Sequence, residues 1–525
     1  MKHIRNAVRH VLVPAERTLD AVFGSRSNPL NNLGTLGFFL YWIVAVTGLY
    51  LYIFFDTGIP EAYESVEVLT HDQWYLGGVL RSLHRYASDG LVFVMVIHIA
   101  REFSLDRYRG ARWFTWVTGM PIAWLVFASG ITGYWLVWDR LAQYVAVVTA
   151  EWLDWLPIFG EPIASNFVSN QALDGRFFTL VIFMHIALPL LLLLVLWIHL
   201  QRLSRPRINP PRGLAIGTFA ALLALSLVKP AVSQGIADLN TVAAVIQLDW
   251  FYLGLYPLVD VWSAGSVWGV VTVLSLILIV IPFMPPMRRP APAVVDLANC
   301  NGCTRCATDC PFNAISMEPR TDGLPFERQA VVNGELCVGC GICAGACPTS
   351  SPFRLGSTLV PGIDLPHLPM SQIRDRIEAA AASLTGERRI IAVGCDDGPD
   401  VRALENDQIA SVRLTCIAML PPTFLDFIIA RNLADGVLIA GCGEGECQCR
   451  FGPDWTNQRF DGTRDPVLRG RVPRERIARL WASKSDRRAL ERAADEFAQR
   501  LADGPSHASD RPCSASAAPP RSSHG

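Results

Sequence analysis

The first half of this chain lacks cysteine altogether. All fourteen cysteines lie at or beyond Cys300, whereas residues 34–285 are rich in Leu, Val, Ile, Phe and Trp. The chain also lacks an excess of charge of either sign, and its formal net charge of −1 argues against nucleic acid as a partner. Residues 1–33 are typical of a basic amphipathic lead-in, without the short apolar core and small-residue cleavage site of a secretory signal. The sequence therefore predicts a membrane part followed by a cysteine-rich part.

Six apolar segments approach the ~20 residues that a bilayer-spanning helix needs. They lie near residues 34–55, 77–100, 113–138, 176–201, 213–231 and 266–285, the fifth being short and rich in alanine. Arginine is concentrated in every second connection and before the first span, while the other connections carry Asp and Glu. The positive-inside rule then places both termini in the cytoplasm, below a bacterial or archaeal-type plasma membrane. The cysteines would lie in a reducing compartment, which favours metal clusters over disulfides.

Four histidines form two pairs of identical spacing within these segments: His84 and His98, then His185 and His199. Fourteen residues make about four helical turns, so each pair shares one helix face, roughly 21 Å apart. A hydrogen bond to a neighbouring helix would explain any single histidine, but a polar group in hydrocarbon is by default a functional candidate. The predicted orientation pairs His84 with His185 near the outer face and His98 with His199 near the inner face. Two axial imidazoles without an open position are typical of electron-transfer haems.

Glycine repeats the fourteen-residue spacing on two other spans. The residues are Gly34 and Gly48 on the first span, and Gly119 and Gly133 on the third. A glycine lets a bulky ring approach the helix backbone, although small residues also serve helix–helix packing in membranes. Arg81 and Arg101 each lie three residues from a histidine and are candidates for haem propionates, while Arg101 alternatively marks the inner membrane boundary.

Three stretches of this region, RSLHRYASDGLVFVMVIHIAR, ITGYWLVW and FMHIALPLLLLLVLWIHL, resemble the cytochrome b of cytochrome bc complexes. The resemblance covers roughly residues 30–285 and implies two non-covalent b haems, the outer one of lower potential. Covalent c-type attachment is not indicated, because the sequence contains no C-x-x-C-H.

The chain departs from that family at the outer quinol site, where the family carries Pro-Glu-Trp-Tyr. The matching residues are Leu248, Asp249, Trp250 and Phe251, so the carboxylate is retained in shortened form and the tyrosine hydroxyl is lost. The family's later spans and a Rieske-type sequence do not occur here, which argues against quinol bifurcation. Quinone chemistry is still expected, near the inner haem. Asp249 is the candidate quinone-site residue, with a solvated loop carboxylate as the alternative.

The cysteine-rich part begins with two C-x2-C-x2-C-x3-C-P runs, at 300–311 and 337–348. In this pattern the fourth cysteine of each run crosses to the other cluster. One [4Fe–4S] cluster is expected on Cys300, Cys303, Cys306 and Cys347, and the other on Cys310, Cys337, Cys340 and Cys343. Structural zinc is the alternative, but its sites use four ligands in pairs. Residues 293–355 resemble bacterial-type ferredoxins.

Residues 356–386 are predicted to be a linker with a short helix. Beyond them, three β-like runs end at Cys395, Cys416 and Cys442, with helical segments between. This alternation predicts a parallel sheet, and ligand sites of such sheets form at the carboxyl ends of the strands. Cys447 follows the third run and completes four ligands for a [2Fe–2S] cluster. Cys449 is a possible replacement for Cys447, and buried free thiols are the alternative.

The stretches VRLTC and ADGVLIAGCGEGEC resemble the delta, or iron–sulfur, subunit of methanogen hydrogenases, over roughly residues 388–500. The resemblance implies a [2Fe–2S] cluster and a partner flavoprotein of heterodisulfide reductase A-like type. That family's first strand ends in a richer set of cysteines than Cys395 alone. The glycines of AGCGEGE do not match G-x-G-x-x-G in context, so no nucleotide site is predicted. Residues 503–525 are rich in Ser, Pro and Ala and are predicted to be disordered, with Cys513 as a free thiol.

The expected fold is multi-domain. It joins an all-α transmembrane bundle (34–285), an α+β ferredoxin-like module (293–355) and an α/β parallel-sheet domain (387–502). The expected function is the electron-transfer subunit of an oxidoreductase of quinone reductase type, linking a soluble flavoprotein to the membrane quinone. Quinol-driven transfer in reverse and a non-catalytic membrane anchor remain alternatives. The sequence leaves open the donor, the direction, the quinone and the oligomeric state, a homodimer included.

Overall fold

A computed structural model describes residues 2–24, 27–158, 160–167, 175–201, 206–241, 245–284, 290–353, 359–443, 445–484 and 486–502. The tail predicted to be disordered, with Cys513, lies outside these residues. The chain divides into two compact units, Met1–Arg289 and Pro290–Gly525.

The first unit is helical. Its α-helices are α1 (Lys2–Phe23), α2 (Leu33–Ile53), α3 (Ile59–Glu67), α4 (Val79–Ser104), α5 (Trp113–Val137), α6 (Arg140–Asp154), α7 (Gly175–Leu200), α8 (Arg212–Val228), α9 (Tyr256–Val261) and α10 (Ala264–Val280). Helix α2 packs along α4, and α5 packs along α7. The Tyr41 hydroxyl of α2 donates to the Pro189 carbonyl of α7 at 3.0 Å and joins the two helix pairs.

Four helical segments of the described chain are long and apolar enough to cross a membrane. They are Pro29–Ile53, Trp113–Val137, Arg176–Leu200 and Ala264–Phe283. Helix α8 is apolar but shorter, and the 26 residues of α4 include the charged side chains of Arg81, Arg85 and Asp89. Large apolar side chains stay exposed on these helices, Leu190 and Trp197 of α7 among them, as expected of surfaces that face lipid. The count of six spans stays a prediction.

The second unit combines short helices with two kinds of sheet. Its α-helices are α11 (Arg305–Thr308), α12 (Ile342–Ala346), α13 (Met370–Ala382), α14 (Pro422–Ala430), α15 (Gly452–Phe460) and α16 (Arg487–Ala502). Its strands are β1 (Val294–Val295), β2 (Ile315–Pro319), β3 (Arg328–Val332), β4 (Ile363–Asp364), β5 (Ile390–Cys395), β6 (Ile409–Leu414), β7 (Gly436–Cys442) and β8 (Ile477–Ala482). Strands β1 and β4 pair antiparallel, as do β2 and β3.

Strands β5 to β8 form one parallel sheet in the order β6-β5-β7-β8. The sequence predicted the first three strands but not β8, whose residues are only partly buried along most of its length. In this order β5 and β7 are neighbours. The chain passes from β5 to β6 on one side and then crosses to β7 on the other side, so the strand order reverses between β5 and β7. Such a switch point opens a crevice at the carboxyl ends of the strands, and here those ends carry Cys395 and Cys442.

The segment expected to be a linker contributes a buried helix. Helix α13 buries Met370, Ile373 and Ile377, at the spacing of one helix face. These side chains belong to a continuous core that also includes Cys343 of the ferredoxin-like module and Val393 of the sheet. The module and the sheet domain are therefore packed together within this unit.

Candidate redox centres

The two histidines of the pair predicted to be the outer one face each other. His84 of α4 and His185 of α7 have ring centres 6.3 Å apart, with an interplanar angle of 58°. A metal–imidazole nitrogen bond of about 2.0 Å, with roughly 1.1 Å from that nitrogen to the ring centre, would place two rings that bind one metal roughly 6.2 Å apart. The pair therefore fits the axial ligands of one haem iron.

Hydrogen bonds orient both rings of this pair. The Nδ1 atom of His84 lies 3.0 Å from the Val44 carbonyl, and that of His185 lies 3.0 Å from the Ser129 carbonyl. Because a carbonyl oxygen only accepts, Nδ1 carries the proton in both rings, and Nε2 keeps a free lone pair for a metal. Thr47 and Thr132 each add a hydroxyl at 3.2 Å from the same Nδ1 atoms.

The inner pair is built on the same helices. His98 and His199 are close enough for their charges to interact. The Nδ1 atom of His199 lies 3.0 Å from the Thr118 hydroxyl, which itself donates to the Phe114 carbonyl. The structure thus brings together the histidines that the sequence paired.

The threonines were missed at the sequence level, although a signal was present. Three of the four spaced glycines directly follow a threonine, as Thr47-Gly48, Thr118-Gly119 and Thr132-Gly133, whereas Leu33 precedes Gly34. Each of these threonines contacts the histidine that its neighbouring glycine faces. A threonine–glycine pair at these positions therefore both orients the ring and makes room for it.

Each spaced glycine lies against a histidine ring. A Cβ atom on Gly48 would stand 2.9 Å from Cε1 of His84, and one on Gly133 would stand 2.8 Å from Cε1 of His185. The corresponding distances at Gly34 and Gly119 are 3.7 Å, to His98 and His199. The two outer positions have no room for a methyl group unless the ring moves, whereas the inner two would make an ordinary contact.

The two arginines predicted to meet haem propionates have protein partners. Arg81 hydrogen-bonds the hydroxyls of Thr70 and Ser233. Arg101 is 4 % exposed and donates to Glu16 at 2.7 Å, which holds α1 to α4. Contacts with haem propionates stay predictions for both residues.

Asp249 is buried, at 8 % exposure, rather than solvated. Its carboxylate accepts hydrogen bonds from Arg85 at 2.7 Å and from the Tyr134 hydroxyl. Arg85 also pairs with Asp89 at 3.3 Å, and its guanidinium lies over the Tyr134 ring. This outer polar cluster, formed by Arg85, Asp89, Tyr134 and Asp249, adjoins the His84 turn of α4.

Three members of the outer polar cluster were not picked out from the sequence. Arg85 directly follows a predicted haem ligand, which was the available signal. Tyr134 supplies to Asp249 the phenolic hydroxyl that the 248–251 segment lacks. Only the fold shows this, because 115 residues separate the two partners.

In the second unit, the thiols group as the crossed ferredoxin pattern requires. Cys306 lies near Cys347, Cys303 and Cys300, and burial together with these neighbours raises the pKa of the Cys306 thiol to about 12. Cys343 lies near Cys340, Cys337 and Cys310 of its own set and also near Cys306 of the first set, and burial raises its pKa well above the usual range. Thiols in such surroundings lose their protons readily only when iron supplies the opposing charge. Both sets fit [4Fe–4S] clusters.

Backbone amides point at the sulfur atoms of the second set. The Ala293 amide donates to Cys337 Sγ at 3.4 Å, and the Ala314 amide donates to Cys310 Sγ at 3.2 Å. Within the described chain, no three His, Cys, Asp or Glu side chains are close enough to share a single metal ion. A [4Fe–4S] cluster makes a different demand, because it is held by four thiolates that surround several iron atoms.

The third set lies at the carboxyl edge of the parallel sheet. Cys395 and Cys442, which end adjacent strands, have sulfur atoms 3.4 Å apart. Two sulfurs bound tetrahedrally to one metal at about 2.3 Å would stand roughly 3.7 Å apart. Cys447 contacts both Cys442 and Cys416. The four thiols fit a [2Fe–2S] cluster, with Cys395 and Cys442 on one iron.

Fold and sites together define a membrane electron-transfer protein with a haem-binding helical part and an iron–sulfur part. Three family models match it in chain order: Cytochrome b/b6/petB at residues 20–206, the 4Fe-4S dicluster domain at 299–351, and the delta subunit of methyl-viologen-reducing hydrogenase at 392–503. The chain therefore contains a cytochrome b/b6 domain, a dicluster ferredoxin domain and a hydrogenase delta-like domain, and the predicted fold class is confirmed. The first match includes all four histidines and ends before α8.

One curated relative is cytochrome b6 of Porphyra purpurea, with 28 % identity over 183 residues, 34 % of this chain and 83 % of that protein. A solved structure entitled "Hyperthermophilic respiratory Complex III" aligns with 48 % of this chain and 74 % of its own, at 18 % identity and a TM-score of 0.39. The cytochrome b match and the four apolar helices together indicate an integral membrane protein.

Proposed function

We propose that this protein carries electrons between a cytoplasmic flavoprotein and the membrane quinone pool. The route uses a [2Fe–2S] cluster, two [4Fe–4S] clusters and two b haems. One observation carries the proposal: His84 and His185 face each other at 6.3 Å, with both Nδ1 atoms hydrogen-bonded to carbonyls. This geometry prepares Nε2 of each ring for an iron between them.

When bound, each haem and each cluster accepts and releases one electron. The residues of the chain keep these groups in place and in their correct charge state. The Val44 and Ser129 carbonyls hold the proton on Nδ1, while amides such as that of Ala314 stabilise thiolate charge on the cluster ligands. Two histidines on one haem iron would leave no open position for oxygen, and the group would then supply electron transfer.

Absorption spectra of purified protein test the haem proposal. A reduced-minus-oxidised spectrum should show a b-type α-band. A variant with His98→Ala and His199→Ala should lose roughly half of the haem, because it removes both ligands of one site. A variant that keeps full haem content, or a wild-type protein without the band, contradicts the proposal and favours the membrane-anchor alternative.

We propose a quinone site in the outer polar cluster at Asp249, in place of the site near the inner haem that the sequence led us to expect. Reduction of a quinone takes up protons, and a buried carboxylate that is hydrogen-bonded to Tyr134 and Arg85 can relay them by first taking up a proton and then passing it on. Asp249→Asn should lower the rate of quinone reduction roughly a hundredfold without loss of haem. Asp260→Asn is the matched control, because Asp260 is an exposed acid that accepts a hydrogen bond from Tyr144. Equal rates in the two variants would place the quinone elsewhere.

The direction of transfer is tested with pre-reduced clusters. Forward transfer predicts that haem and then a water-soluble quinone analogue become reduced after a low-potential donor is mixed with the protein. Quinol-driven reverse transfer predicts cluster reduction by quinol only when a membrane potential is imposed, since each charge moved across 100 mV is worth about 2.3 kcal/mol. No exchange with quinone in either direction contradicts the quinone assignment.

A further inference from the structure

Thr349 contacts the sulfur of a predicted cluster ligand. Its hydroxyl oxygen lies 3.0 Å from Sγ of Cys347, the cysteine that crosses from the second run to the first set (Cys300, Cys303, Cys306 and Cys347). Iron binds the thiolate form of cysteine, and a sulfur without a proton can only accept a hydrogen bond. With iron bound, the Thr349 hydroxyl is therefore the donor in this pair.

A second hydrogen bond orients the same hydroxyl. The Gly362 amide donates to the Thr349 hydroxyl oxygen at 2.7 Å. A threonine hydroxyl has one proton to donate and two lone pairs that accept. Because the contact with Gly362 uses a lone pair, the proton stays available for Cys347 Sγ.

The turn that carries Thr349 is fixed on both sides. The Ser350 amide donates to the Cys347 carbonyl at 3.1 Å, and the Ser350 hydroxyl donates to the Ala344 carbonyl at 2.6 Å. Thr423 of α14 adds a hydroxyl contact with the Ser350 carbonyl at 3.4 Å. The backbone around Thr349 is thus held to α12 and to the sheet domain.

Gly362 lies against a second ligand of the same set. A Cβ atom on Gly362 would stand 2.7 Å from the Asn299 carbonyl oxygen and 2.9 Å from Cα of Cys300. The Gly362 carbonyl also accepts from the Asp296 amide at 3.1 Å. Only glycine fits this place, and it links the segment before Cys300 to the hydroxyl that contacts Cys347.

The second set differs at the corresponding position. Two residues after Cys310, where the other run has Thr349, lies Phe312, whose buried aromatic ring has no proton to donate. Cys310 Sγ accepts instead from the Ala314 backbone amide at 3.2 Å. A backbone amide is present for every residue except proline, whereas a hydroxyl depends on the side chain that the sequence encodes. The Thr349 contact is therefore a property of the first set that a single substitution can remove.

We propose that Thr349 is a positioning residue that raises the reduction potential of the first [4Fe–4S] cluster through its hydrogen bond to Cys347. Reduction adds one electron, and a donor to a ligand sulfur stabilises the more negative reduced state more than the oxidised state. The hydroxyl keeps its proton in both states, so no proton is transferred. The inference rests on the cluster set proposed above.

The test uses full-length protein, purified without oxygen, in wild-type form and as Thr349→Val, Thr349→Ala and Thr349→Ser variants. Iron and acid-labile sulfide are measured, and redox titrations are followed by electron paramagnetic resonance. Thr349→Val and Thr349→Ala should keep wild-type iron content and shift the reduction equilibrium of one [4Fe–4S] cluster about tenfold toward the oxidised state, or about 59 mV more negative. Thr349→Ser keeps the hydroxyl and should stay close to wild type.

The matched control is Thr321→Val in the same module. The Thr321 hydroxyl donates to Oε1 of Gln329 at 3.2 Å and not to a ligand sulfur. The same chemical change is made there, so the variant reports what the loss of a threonine hydroxyl does by itself. None of the cluster potentials should shift.

Unchanged potentials in Thr349→Val and Thr349→Ala would overturn the inference, as would a shift in Thr349→Ser as large as that in Thr349→Val. Shifts of similar size in every cluster would show a general change of structure and would overturn it as well. Loss of one cluster from Thr349→Val and Thr349→Ala would make Thr349 an assembly residue instead. A wild-type protein without [4Fe–4S] signals would contradict the cluster set itself, and the inference with it.

Discussion

At the scale of single residues, the space beside the glycines distinguishes the predicted outer haem site from the inner one. All four have the same spacing, but only Gly48 and Gly133 lie within 3 Å, measured from an added Cβ, of a histidine carbon. The outer rings are therefore held more tightly against the neighbouring helix than the inner rings. The sequence alone treats the four glycines as equivalent.

We expect Gly133→Ala to impair the outer haem site. The added methyl would displace the His185 ring, and such overpacking typically costs about 1–3 kcal/mol. Haem content and the redox titration of the b-type band measure the result, with loss or a shifted potential expected for the outer haem alone. Gly119→Ala on the same helix is the control, because its Cβ would lie 3.7 Å from His199. Equal effects of the two substitutions would contradict the distinction.

The sequence predicts which residues hold the metal groups, whereas the partners of the residues beyond them were not predicted. The histidines and the ferredoxin cysteines follow spacing rules that act within a few turns of chain. The contacts of Arg81, Arg101 and Asp249 join segments that are far apart in sequence. The burial of a side chain by partners that are distant in the sequence cannot be predicted from the local sequence pattern.

At the scale of elements, α15 joins the sheet domain to the ferredoxin-like module through Arg459. This side chain is 1 % exposed and pairs with Asp309, whose side chain is 4 % exposed. We expect Arg459→Leu to destabilise the iron–sulfur unit by about 3–5 kcal/mol, because it leaves a buried carboxylate with one partner fewer. Anaerobic denaturation followed by cluster absorbance measures the change.

The matched control for this change is Arg479→Leu. Arg479 pairs with Asp461 at 3.3 Å, and both side chains are substantially exposed. Exposed pairs contribute about 0–1 kcal/mol, so little change is expected. A loss of stability as large as that of Arg459→Leu would show that burial is not what makes the Arg459 pair important.

Asp364, at the end of β4, should make the stability of this unit depend on pH. Burial raises the pKa of its carboxyl to about 6, although the amides of Met370 and Leu365 donate to it. The folded chain thus favours the protonated form, and the stability that this group contributes is lost as pH rises through about 6. Asp364→Asn should flatten the change in unfolding midpoint between about pH 4 and about pH 6.5. An unchanged pH profile in this variant would contradict the assignment.

Among the elements, helices and strands with strong periodicity were predicted, and those defined by context were not. Strands β5 and β7, which end in Cys395 and Cys442, are buried along their length, and their apolar runs are visible in the sequence. Strand β6 ends at Leu414, two residues before Cys416. Strand β8 lies at the edge of the sheet and pairs only with β7. Its sequence includes a charged residue and its residues are only partly buried, so its apolar pattern is weak. Helix α13 was predicted as a short helix within a linker, whereas its burial in the shared core was not predicted.

At the scale of the whole molecule, the two compact units differ in what surrounds them. The first exposes large apolar side chains along its helices, and the second has its own continuous core. We expect residues 290–525, expressed alone, to fold as a soluble iron–sulfur protein without haem. Metal analysis should give about ten iron atoms per chain, and absorption should show no b-type band. Aggregation of this fragment without clusters would mean that the second unit depends on the first.

The sequence by itself determined the order of the three domains and predicted the kinds of redox centre. Those features depend on local spacing: fourteen residues for histidines on one helix face, and short cysteine repeats around a cluster. Only the tertiary structure decided which thiols contact each other, which arginines have hydrogen-bond partners within the protein and where Asp249 is buried. These outcomes depend on contacts between distant segments, such as the 164 residues between Arg85 and Asp249.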